Sequence, residues 1–307
     1  MYVIEATNLT KKFKNNTAVN NLNLNIEEGS IYGFLGPNGS GKTTTIKMLI
    51  GLFKPTSGTI KICGETVHFG KVNALKHIGF LPDVPEFYSW MTAYDFLKLS
   101  GELLGLSGNI LDTKIDDLLQ LVGLQNNKKK IKGYSRGMKQ RLGIAQALIN
   151  EPKIIFLDEP TSALDPIGRK EVLDIIYKLK GKVTVFFSTH ILSDVERICD
   201  NVLILNKGIK VIESTITELK NSYGIDTLSI TLSSKEEITL LTNRIKDCSW
   251  VKNLDPTETN LLVSVTDIRN AQKEIPKIVS DHNLHLRQFI TKEPSLEEVF
   301  MQVVNNL

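Results

Sequence analysis

The stretch GSIYGFLGPNGSGKTTTIKMLIGLF, residues 29–53, constrains this chain more than any other segment. Its apolar residues Ile31, Phe34 and Leu35 fit a strand buried on both faces. Gly36, Gly39 and Gly41 follow within one short loop, a composition that forces a tight turn. Beyond the turn Ile46, Leu49, Ile50 and Phe53 fall at the i, i+3, i+4, i+7 spacing of one helix face. Two further runs share the strand character. KIIFLDE (153–159) ends in paired carboxylates, and KVTVFFSTH (182–190) ends in a histidine. Between them DPIGRKEVLDIIYKLKG reads as a capped helix. Asp165 is its N-cap, Pro166 its first residue, Val172, Ile176 and Leu179 its apolar stripe, and Gly181 lies past its end. Strands alternating with helices imply an α/β fold with a mostly parallel sheet, whose ligands sit at the carboxyl ends of the strands.

Residues 84–130 break this alternation. EFYSWMTAYDFLKLSGELLGL and KIDDLLQLVGL both read as helical, which places a helical subdomain at about 84–150 inside an α/β domain of residues 1–214. From residue 215 the pattern changes to period two. Leu228, Ile230 and Leu232 alternate with Thr227, Ser229 and Thr231, and Leu261, Val263 and Val265 repeat the pattern. A helical spacing (Ile238, Leu241, Ile245) lies between them and another follows at 267–281, so residues 215–307 read as a small α+β domain with a half-exposed sheet.

The loop itself, Gly36-Pro37-Asn38-Gly39-Ser40-Gly41-Lys42-Thr43, matches G-x-x-x-x-G-K-[ST]. Glycines let successive backbone N–H groups curl around a β-phosphate, and the following helix aims its N-terminal dipole at that charge. Lys42 is placed to reach the β- and γ-phosphates, the Thr43 hydroxyl to ligate Mg²⁺, and Thr44 to extend the cradle. Strand before and helix after make a nucleoside triphosphate site. Asp158 and Glu159 end a strand beside those phosphates: Asp158 suits a Mg²⁺ contact and Glu159 suits orienting or deprotonating a water. Guanine-recognition motifs of the N-K-x-D type are absent, which makes a guanine reading weak.

Composition bounds the setting. Lys and Arg total 37 against 34 acidic residues, a net charge of +3 too balanced to imply a nucleic-acid partner by itself, and none is expected. Cys63, Cys199 and Cys248 lie far apart and suggest neither a disulfide frame nor a zinc site. The opening MYVIEATNLT lacks signal-peptide character, and no run approaches the roughly 18 apolar residues of a membrane span. The chain reads as cytoplasmic, so any membrane part belongs to another chain.

The segment YSRGMKQRLGIAQALINEPKIIFLDEPTSALDP (134–166) resembles the signature, Walker B and D-loop of the ATP-binding-cassette (ABC) ATPases. Walker A at 36–43, signature at 134–138, Walker B at 154–159, D-loop at 162–165 and the switch histidine His190 follow in the family's order, and the resemblance covers about residues 1–220. It implies a phosphate-loop NTPase fold and a head-to-tail dimer, homo- or heterodimeric, with two ATP molecules between protomers. Each is held by Walker A of one chain and by Ser135 and Gly137 of the other. It adds a γ-phosphate contact for His190, a D-loop role for Asp165 and an adenine-stacking role for Phe13. The catalytic set is then Glu159, His190 and Lys42. Unaided, Ser135 also reads as the N-cap of a helix whose stripe is Met138, Leu142, Ala145 and Ile149, an anion site in its own right.

Three positions depart from the family pattern. Arg136 stands where the signature usually has glycine, Asp83 where the Q-loop has glutamine, and Phe13 where the stacking aromatic is often tyrosine. Asp83 reads either as a contact to the Mg²⁺ shell or as a solvated loop acid. The short interval from Lys42 to Ser135 holds no long coiled coil, and there is one cassette, which leaves the detached ATPase subunit of a membrane transporter. It would be peripheral on the inner face of the membrane, working with separate transmembrane permease subunits. Phe87, Tyr88, Trp90, Met91, Tyr94 and Phe96 form either the groove for a coupling helix of the permease or the subdomain's own core. The Asp83 segment, the YSRGM signature and the tail resemble the bacterial drug, bacteriocin or ion exporter branch. A non-transport nucleotide switch acting on a soluble or nucleic-acid partner is the alternative. The KKKIK run (128–132) reads as a solvated loop or a contact to anionic headgroups. His282 and His285 are too sparse for a metal site.

Overall fold

The chain enters as a long antiparallel pair, β1 (Tyr2–Phe13) and β2 (Asn16–Glu27), which periodicity did not single out. Polar residues fill its outer face, and register shifts interrupt the alternation between Ala6 and Lys12. Its inner face is apolar and buried: Ile4, Ala6 and Leu9 from β1, Leu22, Leu24 and Ile26 from β2. Next come β3 (Ile31–Leu35) and α1 (Lys42–Leu49). The helix stops sooner than its spacing implies. Gly51 turns left-handed at φ +73°, and the amides of Leu52 and Phe53 both donate to the Lys47 carbonyl at 2.8 Å. Phe53 therefore lies beyond α1, half-buried against the same core. Strands β4 (Ser57–Ile62) and β5 (Glu65–Thr66) complete an antiparallel sheet in the order β2-β1-β4-β5.

After β6 (Ile78–Leu81) the helical segment begins. EFYSWM is not helical. Its backbone is bonded elsewhere, with Ile131 N donating to Met91 O at 2.8 Å and Lys132 N to Ser89 O at 2.9 Å. Helix α2 (Ala93–Leu103) starts where Thr92 and Asp95 form a capping box, and α3 is Gly108–Leu121. The KKKIK run buries Ile131 and leaves Lys128, Lys130 and Lys132 exposed. Helix α4 (Arg136–Leu148) buries Leu142 and Ala145, with Ile149 just past its end, while Met138 is only half-buried.

Strand β7 (Ile154–Asp158), α5 (Pro166–Lys178), β8 (Thr184–Thr189), α6 (Leu192–Ile198), β9 (Asn201–Asn206) and β10 (Ile209–Thr215) finish the α/β part. Its sheet has the order β10-β9-β3-β8-β7-β6 and is parallel except for the β9–β10 pair. Every residue of β3, β7 and β8 is buried, as expected of strands covered on both faces. One apolar core joins the antiparallel sheet through α1 to this parallel sheet, with the Phe186 ring against those of both Phe34 and Phe156.

The computed structural model describes residues 2–14, 16–71, 73–125, 128–223, 226–292 and 295–305. Gly224 and Ile225 of the YGIDTLSITL tail segment, and Pro294 of PSLEEVF, lie outside the described residues. The chain divides into two compact units, Met1–Ile216 and Thr217–Leu307, with α7 (Ile216–Tyr223) running through the boundary. In the second unit β11 (Thr227–Leu232), α8 (Lys235–Ile245), β12 (Val251–Pro256), β13 (Asn260–Val265), α9 (Ile268–Asp281) and β14 (Leu286–Lys292) precede a last helix, α10 (Leu296–Asn305). The order β12-β13-β11-β14, antiparallel throughout, is a split βαββαβ arrangement. Leu228, Ile230, Leu232, Leu261, Val263 and Val265 pack under Ile238, Leu241, Ile245, Ala271 and Ile275, and the sheet's other face stays half-exposed.

Candidate nucleotide site

Parallel register assembles the site. Leu35 pairs with Thr189 and Asp158 with Ser188, so the ends of β3, β7 and β8 lie side by side. The loop after β3, the Asp158–Glu159 pair after β7 and His190 after β8 therefore emerge at one edge of the sheet. Glycine is required where the loop turns back. A Cβ on Gly36 would lie 2.3 Å from the Leu205 carbonyl oxygen. One on Gly41, whose φ is +109°, would lie 2.3 Å from that of Ala18. The loop is closed by Ser40 N donating to Pro37 O at 3.1 Å and braced by Gly208 N donating to Ser40 O at 2.8 Å.

Charge is concentrated inside that curve. The Lys42 ammonium donates to the carbonyls of Gly36 (2.7 Å) and Pro37 (3.3 Å) and lies 3.2 Å from Glu159 Oε1. Glu159 Oε2 in turn sits 2.8 Å from Nδ1 of His190. An ammonium, a carboxylate and an imidazole thus stand in one row, with Lys42 and Glu159 buried and the His190 side chain 41% exposed. Glu159 holds an uncommon left-handed backbone, φ +51°. Its amide donates to both the carbonyl and the Oγ of Ser188, each at 3.1 Å, and that hydroxyl donates to Asp158 Oδ1 at 2.6 Å. The backbone of one carboxylate and the side chain of the other are set by the same serine. A strained φ held this firmly beside a charged row is a feature of functional sites.

A cleft of about 680 Å³ opens over this row. Phe13, Asn38, Gly39, Gly41, Lys42, Thr43, Thr44, Asp83 and Glu159 border it together. Phe13 is 42% exposed and meets Phe53 edge-on at 5.9 Å, so the ring stands at the rim and not in the core. Gly36, Pro37 and Ser40 form the loop's inner curve instead. Asp158 is buried behind the cleft. Ser135, Gly137, Asp165 and His190 stand outside its lining. Ser135 Oγ caps α4 by accepting from Met138 N at 3.2 Å, and Asp165 caps α5 by accepting from Gly168 N at 3.3 Å.

The residues fit a phosphate group with its metal. Ser40 Oγ is buried without a hydrogen-bond partner on the inside of the loop next to Gly36, and Gly39 has open space where a side chain would project. Among the described residues no three His, Cys, Asp or Glu side chains group to hold an ion. A Mg²⁺ bound with phosphates takes one or two protein ligands, and the Thr43 hydroxyl on the cleft wall is such a donor.

Several participants carry no motif. Asn16, Thr17 and Ala18 at the start of β2, and Lys207 in the β9–β10 turn, also line the cleft. Asp194, fully buried on α6, accepts from Thr161 Oγ1 (2.7 Å) and Arg169 Nε (2.6 Å), tying the loop after Glu159 to α5. Asp83 pairs with Arg136 at 3.4 Å, and its carbonyl accepts from Gln140 Nε2 at 2.7 Å. The aromatic segment divides its labour: Phe96 is buried, Tyr88 and Trp90 are 54% and 62% exposed, and Phe87, Tyr88 and Phe96 line a second cleft with Leu99, Leu103 and Gln146.

With this geometry the chain matches known proteins along its length. The family model for the ABC transporter matches residues 19–162, and that for the ATP-binding protein DrrA1-3-like, C-terminal domain, matches residues 215–304. An uncharacterized ABC transporter ATP-binding protein, YxlF of Bacillus subtilis, is 41% identical over 99% of this chain and 100% of its own length. The bacitracin transport ATP-binding protein BcrA of Bacillus licheniformis is 37% identical over 98% of this chain and 97% of its own. Among solved structures, a dimeric post-hydrolysis ATP-binding cassette bound to ADP and Pi is 29% identical, with a TM-score of 0.63 over 69% of this chain and 98% of that one.

Proposed function

Since the chain belongs to the ABC transporter ATP-binding proteins, an ATPase family, we propose that it powers export through separate permease subunits as half of a head-to-tail ATPase dimer. The row Lys42–Glu159–His190 at the end of three parallel strands is the observation that carries the chemistry.

In this reading Lys42 exchanges its Glu159 contact for the β- and γ-phosphates, while the carbonyls of Gly36 and Pro37 keep its ammonium in place. Glu159, released from Lys42, orients and deprotonates the attacking water, and His190 holds the carboxylate's other oxygen and contacts the γ-phosphate. Mg²⁺ would be held by the Thr43 hydroxyl and by Asp158, directly or through water, and would offset the phosphate charge. Phe13 offers a ring face to adenine. Ser135 and Gly137 face the nucleotide of the partner, and Asp165 stands at the interface. The chain has no described helix long and apolar enough to cross a membrane, in keeping with a peripheral subunit on the inner face. The cleft of Phe87, Tyr88 and Phe96 takes the permease's coupling helix, and residues 215–307 act as an accessory domain to the ATPase domain of residues 1–214. Homology over full length to BcrA, named for bacitracin transport, favours a peptide antibiotic or similar amphipathic compound as cargo.

Glu159→Gln tests the assignment. Turnover should fall about a hundredfold or more while ATP binding persists. Purified from its own membranes with Mg²⁺-ATP present, the variant should retain a polytopic membrane protein. Near-normal turnover removes Glu159 from its role, and recovery of only soluble partners removes the transporter reading.

A further inference from the structure

The two residues that depart most from the family pattern meet each other. Asp83 borders the nucleotide cleft, which also holds Lys42, Thr43 and Glu159. The cleft is built for a polyanion, so a carboxylate on its rim repels the ligand. The chain nevertheless fixes that carboxylate there. Gln140, fully buried on α4, donates to the Asp83 carbonyl at 2.7 Å and anchors the backbone of the loop. One helical turn earlier, Arg136 places Nη2 3.4 Å from Asp83 Oδ1. Loop and helix are thus joined twice, once by backbone and once by charge.

We propose that Arg136 is the counter-charge that makes Asp83 tolerable in a triphosphate site, so that the pair acts as one neutral unit on nucleotide affinity. Both side chains are near half-exposed, at 44% and 47%, so the pair adds little to folding stability. Its effect is on the ligand. Without Arg136 the Asp83 charge faces the phosphates unbalanced, and with both charges gone the repulsion disappears. Arg136 is therefore a positioning and charge-balancing residue. The inference rests on the nucleotide-binding reading of the cleft but not on the dimer.

Equilibrium titration of the full-length chain with ATP, at protein concentrations that keep it monomeric, tests this with a double-mutant cycle. Arg136→Gln should weaken ATP binding about three- to tenfold at low salt. Asp83→Asn should leave affinity equal or tighter. The double variant should bind like Asp83→Asn alone, and Arg136→Lys should bind like the wild type. The Arg136→Gln loss should be larger for ATP in EDTA than for Mg²⁺-ATP, because the metal neutralises part of the phosphate charge, and it should shrink with added salt. A purely structural role would move neither dependence. If Arg136→Gln costs the same factor with Asn at position 83, Arg136 acts on the nucleotide by itself and the pairing is refuted. No loss in either background refutes it as well. Failure of the wild type to bind ATP at all would instead overturn the nucleotide reading beneath it.

Discussion

Two glycine-containing elements to which the proposed mechanism gives phosphate contacts are built on opposite terms. In the loop after β3 the chain's own packing demands glycine: a Cβ on Gly36 or Gly41 would strike a carbonyl oxygen at 2.3 Å. At the start of α4 it does not. A Cβ on Gly137 would meet Gly168 Cα at 3.7 Å and Ser135 Oγ at 4.0 Å, both ordinary contacts. Lys42 at the end of the loop is buried and paired with the buried Glu159, whereas Ser135 and Arg136 face solvent. Within one chain the first element is finished and the second is presented. This is what a site completed by a second protomer would require of its two halves.

The largest effect should come from Gly41→Ala. A residue with a Cβ at φ +109° is strained, and the clash with Ala18 O adds backbone displacement. Together these cost about 2–5 kcal/mol, read as a fall in melting temperature of several degrees with loss of ATP binding. Unchanged stability would dissolve the contrast at its first term. Gly137→Ala should do the reverse. Alanine in the first turn of a helix is neutral or stabilising by about 0.5 kcal/mol, so melting and monomeric ATP binding should hold while turnover falls at concentrations that allow dimers. A Gly137→Ala protein that unfolds would show that α4 needs glycine for itself.

The same contrast explains what could be read before the structure. The strands β3, β7 and β8 were legible because burial on both faces leaves uninterrupted apolar runs, and Asp165, Pro166 and Gly181 mark α5 by cap chemistry that is local. The site residues of the loop and of Walker B were legible because their spacing is contiguous. The β1–β2 pair escaped notice since polar residues such as Lys11, Asn20 and Asn21 alternate into it and bulges disturb the period. Spacing alone puts Phe53 on the face of α1, because it cannot see a left-handed Gly51 end the helix. Ser188, Asp194 and the Asp83–Arg136 pair are tertiary facts, since their partners are distant in sequence and no local pattern joins them. In the helical segment the aromatic run splits between core and surface, a division that local spacing does not reveal.

That segment supplies the smallest effect, and one whose sign is set by two groups at once. Tyr94 on α2 donates its hydroxyl to Asp112 Oδ1 on α3 at 2.7 Å. The bond pushes the tyrosine up to about 12 and holds the Asp112 carboxyl below its usual range. A raised tyrosine contributes stability that is complete below its unfolded value of about 10 and is lost as pH climbs through about 12. A depressed carboxyl contributes stability that is complete above its unfolded value of about 4 and is lost as pH falls through its lower folded value. Wild type should therefore exceed Tyr94→Phe by a small plateau between those limits, falling away on both sides. Denaturant titrations across the pH range would read it. Both groups are only half-buried, so solvent screening keeps the plateau small, and a difference that rose on the acid side would contradict the donor–acceptor assignment. Nucleotide affinity should not follow this profile, because the bond joins α2 to α3 and neither partner borders the phosphate cleft.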